Sequence, residues 1–564
     1  MRLTGIQVFV ELLARHGVKH LFGNPGTTEL PLNDCLSQDK RLQYILGLQE
    51  VPVMGMADGY AMASGQIGVV NLHVACGLGN AMGILYNAYR EGTPLLVTAG
   101  QQDRRIAFEE PILGGDLVGV AKPWTKWAYE VQHLQDLPQA IQRAVQTALT
   151  PPTGPVFLSL PLDLQMEHAD WQLLPDIKLP DARVRPPEEA LQKAVQTLLH
   201  AHNPAILAGS RVRERNACAT LVNLAEQLGA PVFSEPGNTH GRLPFPSDHP
   251  LYGQGLPMWS PEVCKVLEEF DTLIVVGMDL FRQYMHHEPV SPLPHGIQVI
   301  HLDEDAWQLN KNYPLEVGVL GDIGCSMEAI TAGLQSQATD SYRQHVVDRT
   351  QRHQQTHQRQ REQFRQEIAA EKAKALRPLS PLLLMAALAE ILPEDVVVVE
   401  EAVTTTGMTL ERLGALSSKA DYFGHRGWAL GWGMGCAMGA QMAWPDRPVL
   451  AILGDGAAMY GIQGLWSAAK YNLPVVFVVC NNRQYQILKM GSQSLGLPEA
   501  VQDRFVGLDL DAPAIDYVGL ATALGVEACR QTEPEEIQAR IRQGWGSGRP
   551  LLIEVPIQKT FGPT

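Results

Sequence analysis

The chain has 564 residues, 45% apolar and 18% charged, which is too long for one hydrophobic core and rich enough in apolar side chains for several. Its 44 basic and 60 acidic residues give a formal charge of −16, spread along the chain, which argues against a non-specific nucleic-acid or acidic-membrane binder. None of the eight cysteines forms a CxxC pair, so neither a zinc ribbon nor a disulfide framework is indicated, and reduced, mostly buried thiols are expected.

The opening MRLTGIQVFVELLARHGVKHLFG reads as an amphipathic helix from residue 3 to His16-Gly17, followed by the short strand VKHLFG. Its charges and short apolar run do not suit a secretory signal or membrane span, so a cytoplasmic protein with no membrane partner is expected. Helices over 52–64, 79–90 and 136–148 then alternate with strands over 67–72, 94–99 and 154–161, the pattern of a mainly parallel sheet covered on both faces. The proline-rich stretch 174–189 reads as an interdomain linker.

A second α/β pattern carries strands at PAILAG, APVFSE, TLIVVG and IQVIHLD. Its AGS turn at 208–210 resembles part of a dinucleotide-binding turn but lacks a full GxGxxG. Residues 341–375, rich in charge and glutamine, read as a solvated helix crossing to the last domain. A third α/β pattern carries strands at DVVVVE, RPVLAIL, LPVVFVV and PLLIEV. The expected fold is therefore three successive α/β domains with mainly parallel sheets, at 1–180, 190–340 and 377–564, with a helical crossover at 341–376.

Within the last domain, LAILGDG ends a strand and places Asp455 at the carboxyl end of the sheet. LPVVFVVC returns in parallel and leaves Asn481 and Asn482 at the same end. Asp455 offers a hard anionic oxygen, Asn482 a neutral one, and a backbone carbonyl near Gln484 a third, a set that suits Mg²⁺ carrying phosphate oxygens and water. Asp-Gly is also a common turn and Asn-Asn a common cap, but together, between two apolar strands, they favour a metal-diphosphate site.

This unit resembles the diphosphate motif of thiamine-diphosphate-dependent enzymes. The resemblance implies thiamine diphosphate and Mg²⁺ as cofactors, with Asp455, Asn482 and the Gln484 carbonyl on the metal and the turn Gly456-Ala457 and Tyr485 near the diphosphate. Such a cofactor needs a carboxyl group to exchange a proton with its pyrimidine. Glu50 opens a helix among Leu46, Leu48, Val51, Val53 and Met54, where burial is plausible. The run QE followed by GMADGYA resembles the catalytic-glutamate segment.

FGNPGTTELP and NLHVACGLGNAMG put Asn24, Pro25, Gly26, Thr27, Thr28 and His73 at strand ends, where Thr27 or Thr28 could equally be an N-cap and His73 a loop contact. With VTAGQQ, TKWAYE, GPVFLSLPLD and VVGMDLFR, these segments make nearly the whole chain similar to the benzoylformate decarboxylase family. That likeness implies non-oxidative decarboxylation of a small 2-oxo acid to an aldehyde and CO₂, with Glu50, His73 and Thr27 as catalytic residues. It also implies a homodimer or homotetramer whose active sites lie between subunits.

By the same likeness, Leu430 resembles the wedge over which the cofactor bends, Val403 and Thr404 a loop at the diphosphate, and Ile487, Leu488 and Met490 the substrate side. Three departures bear on substrate. Thr27 stands where the family has serine; FRQYMHHEP puts Tyr284 where a histidine is expected, with His286 or His287 matching after a shift; and Met490-Gly491 replaces a tryptophan and phenylalanine. Acetolactate- or acyloin-forming enzymes and lyases of the same family remain an alternative, as does a catalytically inactive cofactor-binding protein.

Overall fold

Short runs of valine, isoleucine and leucine form the strands. In the computed structural model, which describes residues 2–171, 179–235, 241–282, 286–288 and 290–559, they assemble into three six-stranded sheets. Strand β1 (Arg2–Thr4) stands apart from these and pairs antiparallel with a later strand, β8 (His168–Asp170). The first sheet contains β2 (His20–Gly23), β3 (Gln43–Leu46), β4 (Gly68–Leu72), β5 (Leu95–Gln101), β6 (Ala128–Glu130) and β7 (Val156–Pro161), in the order β3-β2-β4-β5-β7-β6. The central sheet contains β9 (Pro204–Ala208), β10 (Val232–Ser234), β11 (Tyr252–Gly255), β12 (Thr272–Val276), β13 (Gln298–Asp303) and β14 (Val317–Leu320), in the order β11-β10-β9-β12-β13-β14.

The third sheet contains β15 (Val397–Glu401), β16 (Asp421–Phe423), β17 (Val449–Gly454), β18 (Val475–Asn481), β19 (Glu527–Arg530) and β20 (Leu551–Pro556). Its order, β16-β15-β17-β18-β20-β19, repeats the permutation of the first sheet. Every pairing in these sheets is parallel, and strands such as VVV at 397–399 are fully buried, as helices on both faces require. The sequence pattern missed β6, β11, β14, β16 and β19. Each is only three or four residues long, too short to show a period.

The first and third domains meet where the helix Glu50–Ser64 packs on the helix Trp432–Ala443. Glycines let the backbones touch: a Cβ added to Gly435 would lie 2.8 Å from the Gly55 Cα, and one added to Gly439 would overlap the Met56 carbonyl. Asp58 accepts a hydrogen bond from the Trp432 indole across this contact. Trp432 is thus packed in the helix interface.

The crossover forms one helix, Asp340–Ala373, as expected in extent but not in environment. Tyr342, Arg349, His353, His357 and Phe364 form a buried stripe on what the sequence suggested was a solvated face. Arg349 explains how a charge lies inside: its guanidinium donates to the Leu228, Ala201 and His202 carbonyls, which are left over at two helix ends. The expectation of mostly buried thiols also needs correction. All eight cysteines are free, but only Cys436 and Cys480 are buried; Cys76 is exposed and the others are half-buried on helices or an edge strand.

Candidate functional site

In a doubly wound sheet the ligand crevice opens where strand order reverses, outside the carboxyl ends. In the first sheet that point lies between β2 and β4, so the turn Asn24-Pro25-Gly26 and His73 face the same crevice. His73 lies close against Gly26, where a Cβ would overlap the imidazole ring, so only glycine fits. The next residue, Val74, adopts φ 34, a strained value for a β-branched side chain.

The imidazole is oriented by a residue the sequence reading did not single out. Glu29, 1% exposed, approaches His73 Nδ1 at 2.8 Å. It also accepts from the Gly100 and Gly26 N–H groups at 2.9 and 3.0 Å and from the Thr28 hydroxyl at 2.8 Å. A carboxylate at Nδ1 selects the tautomer with the proton there and leaves Nε2 as the exchanging atom. The hydroxyl beside His73 is that of Thr28, 3.4 Å from Nδ1, whereas Thr27 is exposed.

Glu50 is buried at 5% exposure as the first residue of its helix. Its two oxygens accept from Asn24 and Asn80 amides, both at 3.1 Å. Among the described residues no lysine or arginine pairs with it.

The third sheet reverses between β15 and β17, which places Val403 and Thr404, after β15, near Asp455, after β17. Asp455 sits in the first turn of the helix Asp455–Gly461, so Gly456-Ala457 is helical, not the tight turn expected. Burial pushes its carboxyl up to about 6, against backbone N–H groups that favour the anion. The Gly456 and Arg483 N–H groups donate to it at 2.8 and 2.6 Å, and among the described residues no cationic side chain pairs with it.

Asn482 is brought beside Asp455 by β18 and accepts from the Gln484 N–H at 3.0 Å. Tyr485 packs its ring over Gly456. A buried carboxylate without a counter-charge, beside the Asn482 amide, fits a hard divalent cation. Leu430, half-buried, precedes Gly431, where a Cβ would lie 2.8 Å from Val51 Cγ1 and 2.6 Å from Tyr460 Cβ. The neighbour of Glu50, the residue after Leu430 and the Asp455 helix therefore converge within one chain.

Ile487, Leu488 and Met490 lie on the helix Gln486–Ser494, with Leu488 exposed. Lys489, between them, is buried and donates to Gln484 Oε1 at 2.9 Å and to Asp509 at 2.6 Å. Tyr284 lies outside the described residues. His286 is exposed beside Glu288, and His287 packs at a tilt against Trp259 with centroids 4.8 Å apart; these contacts are all local to the central domain. At the central crevice, after β9 and β12, Arg211 bridges Asp279 at 2.8 Å and Asp303 at 3.0 Å. These buried ion pairs lie beside the AGS turn, which lacks the full GxGxxG of a dinucleotide site.

Asn80, Asn87 and Glu91 were also missed. Their signal was a polar stripe at helical spacing on a helix that is otherwise apolar.

Comparison with known proteins matches residues 3–112 to the thiamine pyrophosphate enzyme N-terminal TPP binding domain, 191–330 to the central domain and 402–555 to the C-terminal TPP binding domain. The chain is 35% identical over 551 residues to benzoylformate decarboxylase of Pseudomonas aeruginosa, covering 97% of this chain and 98% of that protein. It is 26% identical to a probable acetolactate synthase large subunit of Methanocaldococcus jannaschii, covering 98% and 92%. The solved thiamine diphosphate-dependent 4-hydroxybenzoylformate decarboxylase of Rhodococcus jostii RHA1 superposes with TM-score 0.85 at 32% identity, covering 99% of both chains. Among the described residues no helix is long and apolar enough to cross a membrane.

Proposed function

Because this chain belongs to the thiamine pyrophosphate enzyme family, we propose that it decarboxylates a 2-oxo acid of the benzoylformate type non-oxidatively, releasing an aldehyde and CO₂. The observation that carries this reading is the pair of buried carboxylates, Glu50 and Asp455, in crevices of two sheets with the same topology. Neither has a cationic partner among the described residues.

Bound thiamine diphosphate would supply the nucleophilic carbon and the electron sink. Asp455, Asn482 and the Gln484 carbonyl would hold Mg²⁺, with Val403, Thr404, Gly456, Ala457 and Tyr485 holding the diphosphate and Leu430 giving the cofactor an apolar contact. Glu50 would hold the proton that exchanges with the cofactor's pyrimidine, with Asn24 and Asn80 fixing its carboxylate plane. His73, with Nδ1 held by Glu29, would move a proton at Nε2 on the substrate side. Thr27, at the mouth of the same turn, would place the substrate carboxylate. Ile487, Leu488 and Met490 would face the substituent, and Met490 with Gly491 leaves a pocket shaped differently from one walled by tryptophan and phenylalanine.

Exposed apolar side chains, Phe108 at 97% and Ile112 at 85% in the first domain and Val506 at 97% in the third, support a homodimer or homotetramer as the working form.

The test is turnover of benzoylformate and of aliphatic 2-oxo acids by protein supplied with thiamine diphosphate and Mg²⁺, with products resolved in the presence and absence of a second aldehyde. Aldehyde and CO₂ in equal amounts support the reading. Acyloin as the main product would move it to the ligase branch, and no CO₂ from any 2-oxo acid would remove it. Asp455→Ala should lose Mg²⁺-dependent cofactor binding, read by titration.

A further inference from the structure

The segment 425–431, which carries Leu430 into the helix Trp432–Ala443, has no ladder of its own. Its backbone groups are instead met by buried side chains. Asn87, 1% exposed on the helix Val74–Glu91, donates to the Ala429 carbonyl at 2.8 Å and accepts from the Ala429 N–H at 2.9 Å, closing both sides of one residue. One turn on, Glu91 accepts from the Arg426 N–H at 3.1 Å and from its Nε at 3.3 Å.

On the other side, Glu401 takes the Gly431, Trp432 and Gly433 N–H groups at 2.9, 3.0 and 3.1 Å. His425 Nδ1 accepts from the Trp428 N–H at 2.9 Å. Gly427 lies so close that a Cβ there would stand 2.8 Å from the Asn87 Cα.

The same helix follows His73, and its Asn80 holds Glu50. Positions 80, 83, 87 and 91 share one helical face, and the Ala429 Cβ lies against it, 3.7 Å from where a Cβ on Gly83 would stand. A rigid rod therefore touches the proposed proton-exchanging carboxylate with one residue and the proposed wedge segment with another, two turns further on.

We propose that Asn87 is a positioning residue for the cofactor pocket: by pairing both backbone groups of Ala429 from the helix Val74–Glu91, it fixes the adjacent Leu430. An amide suits this task because it donates and accepts in one plane, as the peptide group does. Two hydrogen bonds in a dry setting restrict the segment before any ligand arrives, which is the condition for a pre-organised site. This rests on the reading of Leu430 as part of a thiamine diphosphate pocket.

The test compares wild type with Asn87→Ala and the near-isosteric Asn87→Leu. Thiamine diphosphate affinity at saturating Mg²⁺ is read by quenching of tryptophan fluorescence, and the near-ultraviolet circular dichroism of the bound cofactor is recorded. Tyr471→Phe serves as a contact control, because it removes a different hydrogen bond between the two domains, from the Leu46 N–H at 2.8 Å.

The expected result is a rise in cofactor Kd of about tenfold or more for both Asn87 variants. Their dichroic band should be weakened or altered even when the site is saturated, while Tyr471→Phe keeps the wild-type Kd and band. If Asn87→Ala does not fold, the Asn87→Leu result decides. Wild-type Kd and dichroism in a folded Asn87 variant would overturn the proposal, and so would an equal loss of affinity in Tyr471→Phe, which would mark a general loss of domain contact. Failure of the wild type itself to bind thiamine diphosphate would instead overturn the functional reading on which this one stands.

Discussion

Glu50 is held between two carboxamides, an arrangement that fixes its plane without neutralising its charge. Replacing the acid by its amide keeps the shape and removes the proton, so Glu50→Gln should bind cofactor with near wild-type affinity and lose about 10²–10⁴-fold in kcat. Titration and steady-state rates on the same preparation check both halves, and turnover like that of wild type would remove Glu50 from the mechanism. Glu29 acts one bond further out. Glu29→Gln no longer offers a full carboxylate to His73 Nδ1, so the imidazole loses its preferred tautomer, and kcat should fall about 10²-fold with a changed pH-rate profile. An unchanged profile would reduce Glu29 to a structural brace. Glu29 was visible in FGNPGTTEL, yet nothing local distinguishes a buried glutamate from an exposed one. Its burial follows from β5 crossing behind the turn and presenting the Gly100 N–H.

Between elements, the contact of the helices Glu50–Ser64 and Trp432–Ala443 depends on missing side chains rather than on present ones. Gly439→Ala inserts a methyl against the Met56 carbonyl in a backbone crossing with no flexible neighbour to give way. It should destabilise the protein by about 1–3 kcal/mol. Because the same contact starts Glu50 on its helix, cofactor affinity should fall as well. Urea unfolding and cofactor titration measure the two, and a variant as stable as wild type would show that the helices can separate freely. The glycine spacing in GMADGYA and GWGMGCAMGA was plain in the chain, but not which helix each faced, since two glycine stripes carry no address for one another.

Across the whole molecule, the crossover helix Asp340–Ala373 braces the central domain and packs on the third, and its buried face holds histidines rather than leucines. Burial pushes His353 and His357 down to about 4. In the unfolded chain a histidine takes up a proton near pH 6.5. From there down to about pH 4 the unfolded state binds more protons than the folded one, and stability falls as the pH is lowered. The urea midpoint should therefore drop between pH 6.5 and 4, and less steeply in His353→Gln or His357→Gln. Equal slopes in wild type and variants would show that folding leaves the proton affinity of both histidines unchanged.

The sequence by itself determined the three α/β patterns and the family resemblance, and it singled out Glu50, Asp455 and Asn482 as candidates. Each of these is encoded locally, as an apolar period or as a polar residue placed directly after an apolar strand. Only the tertiary structure decided that the first and third sheets share one strand order, that Glu29 rather than a neighbour orients His73, that Thr28 is the hydroxyl beside it, and that a charged helix buries Arg349. These outcomes depend on which carbonyls and carboxylates are left unpaired once distant elements pack. Such a shortage exists only after folding, so no window of the chain can announce it.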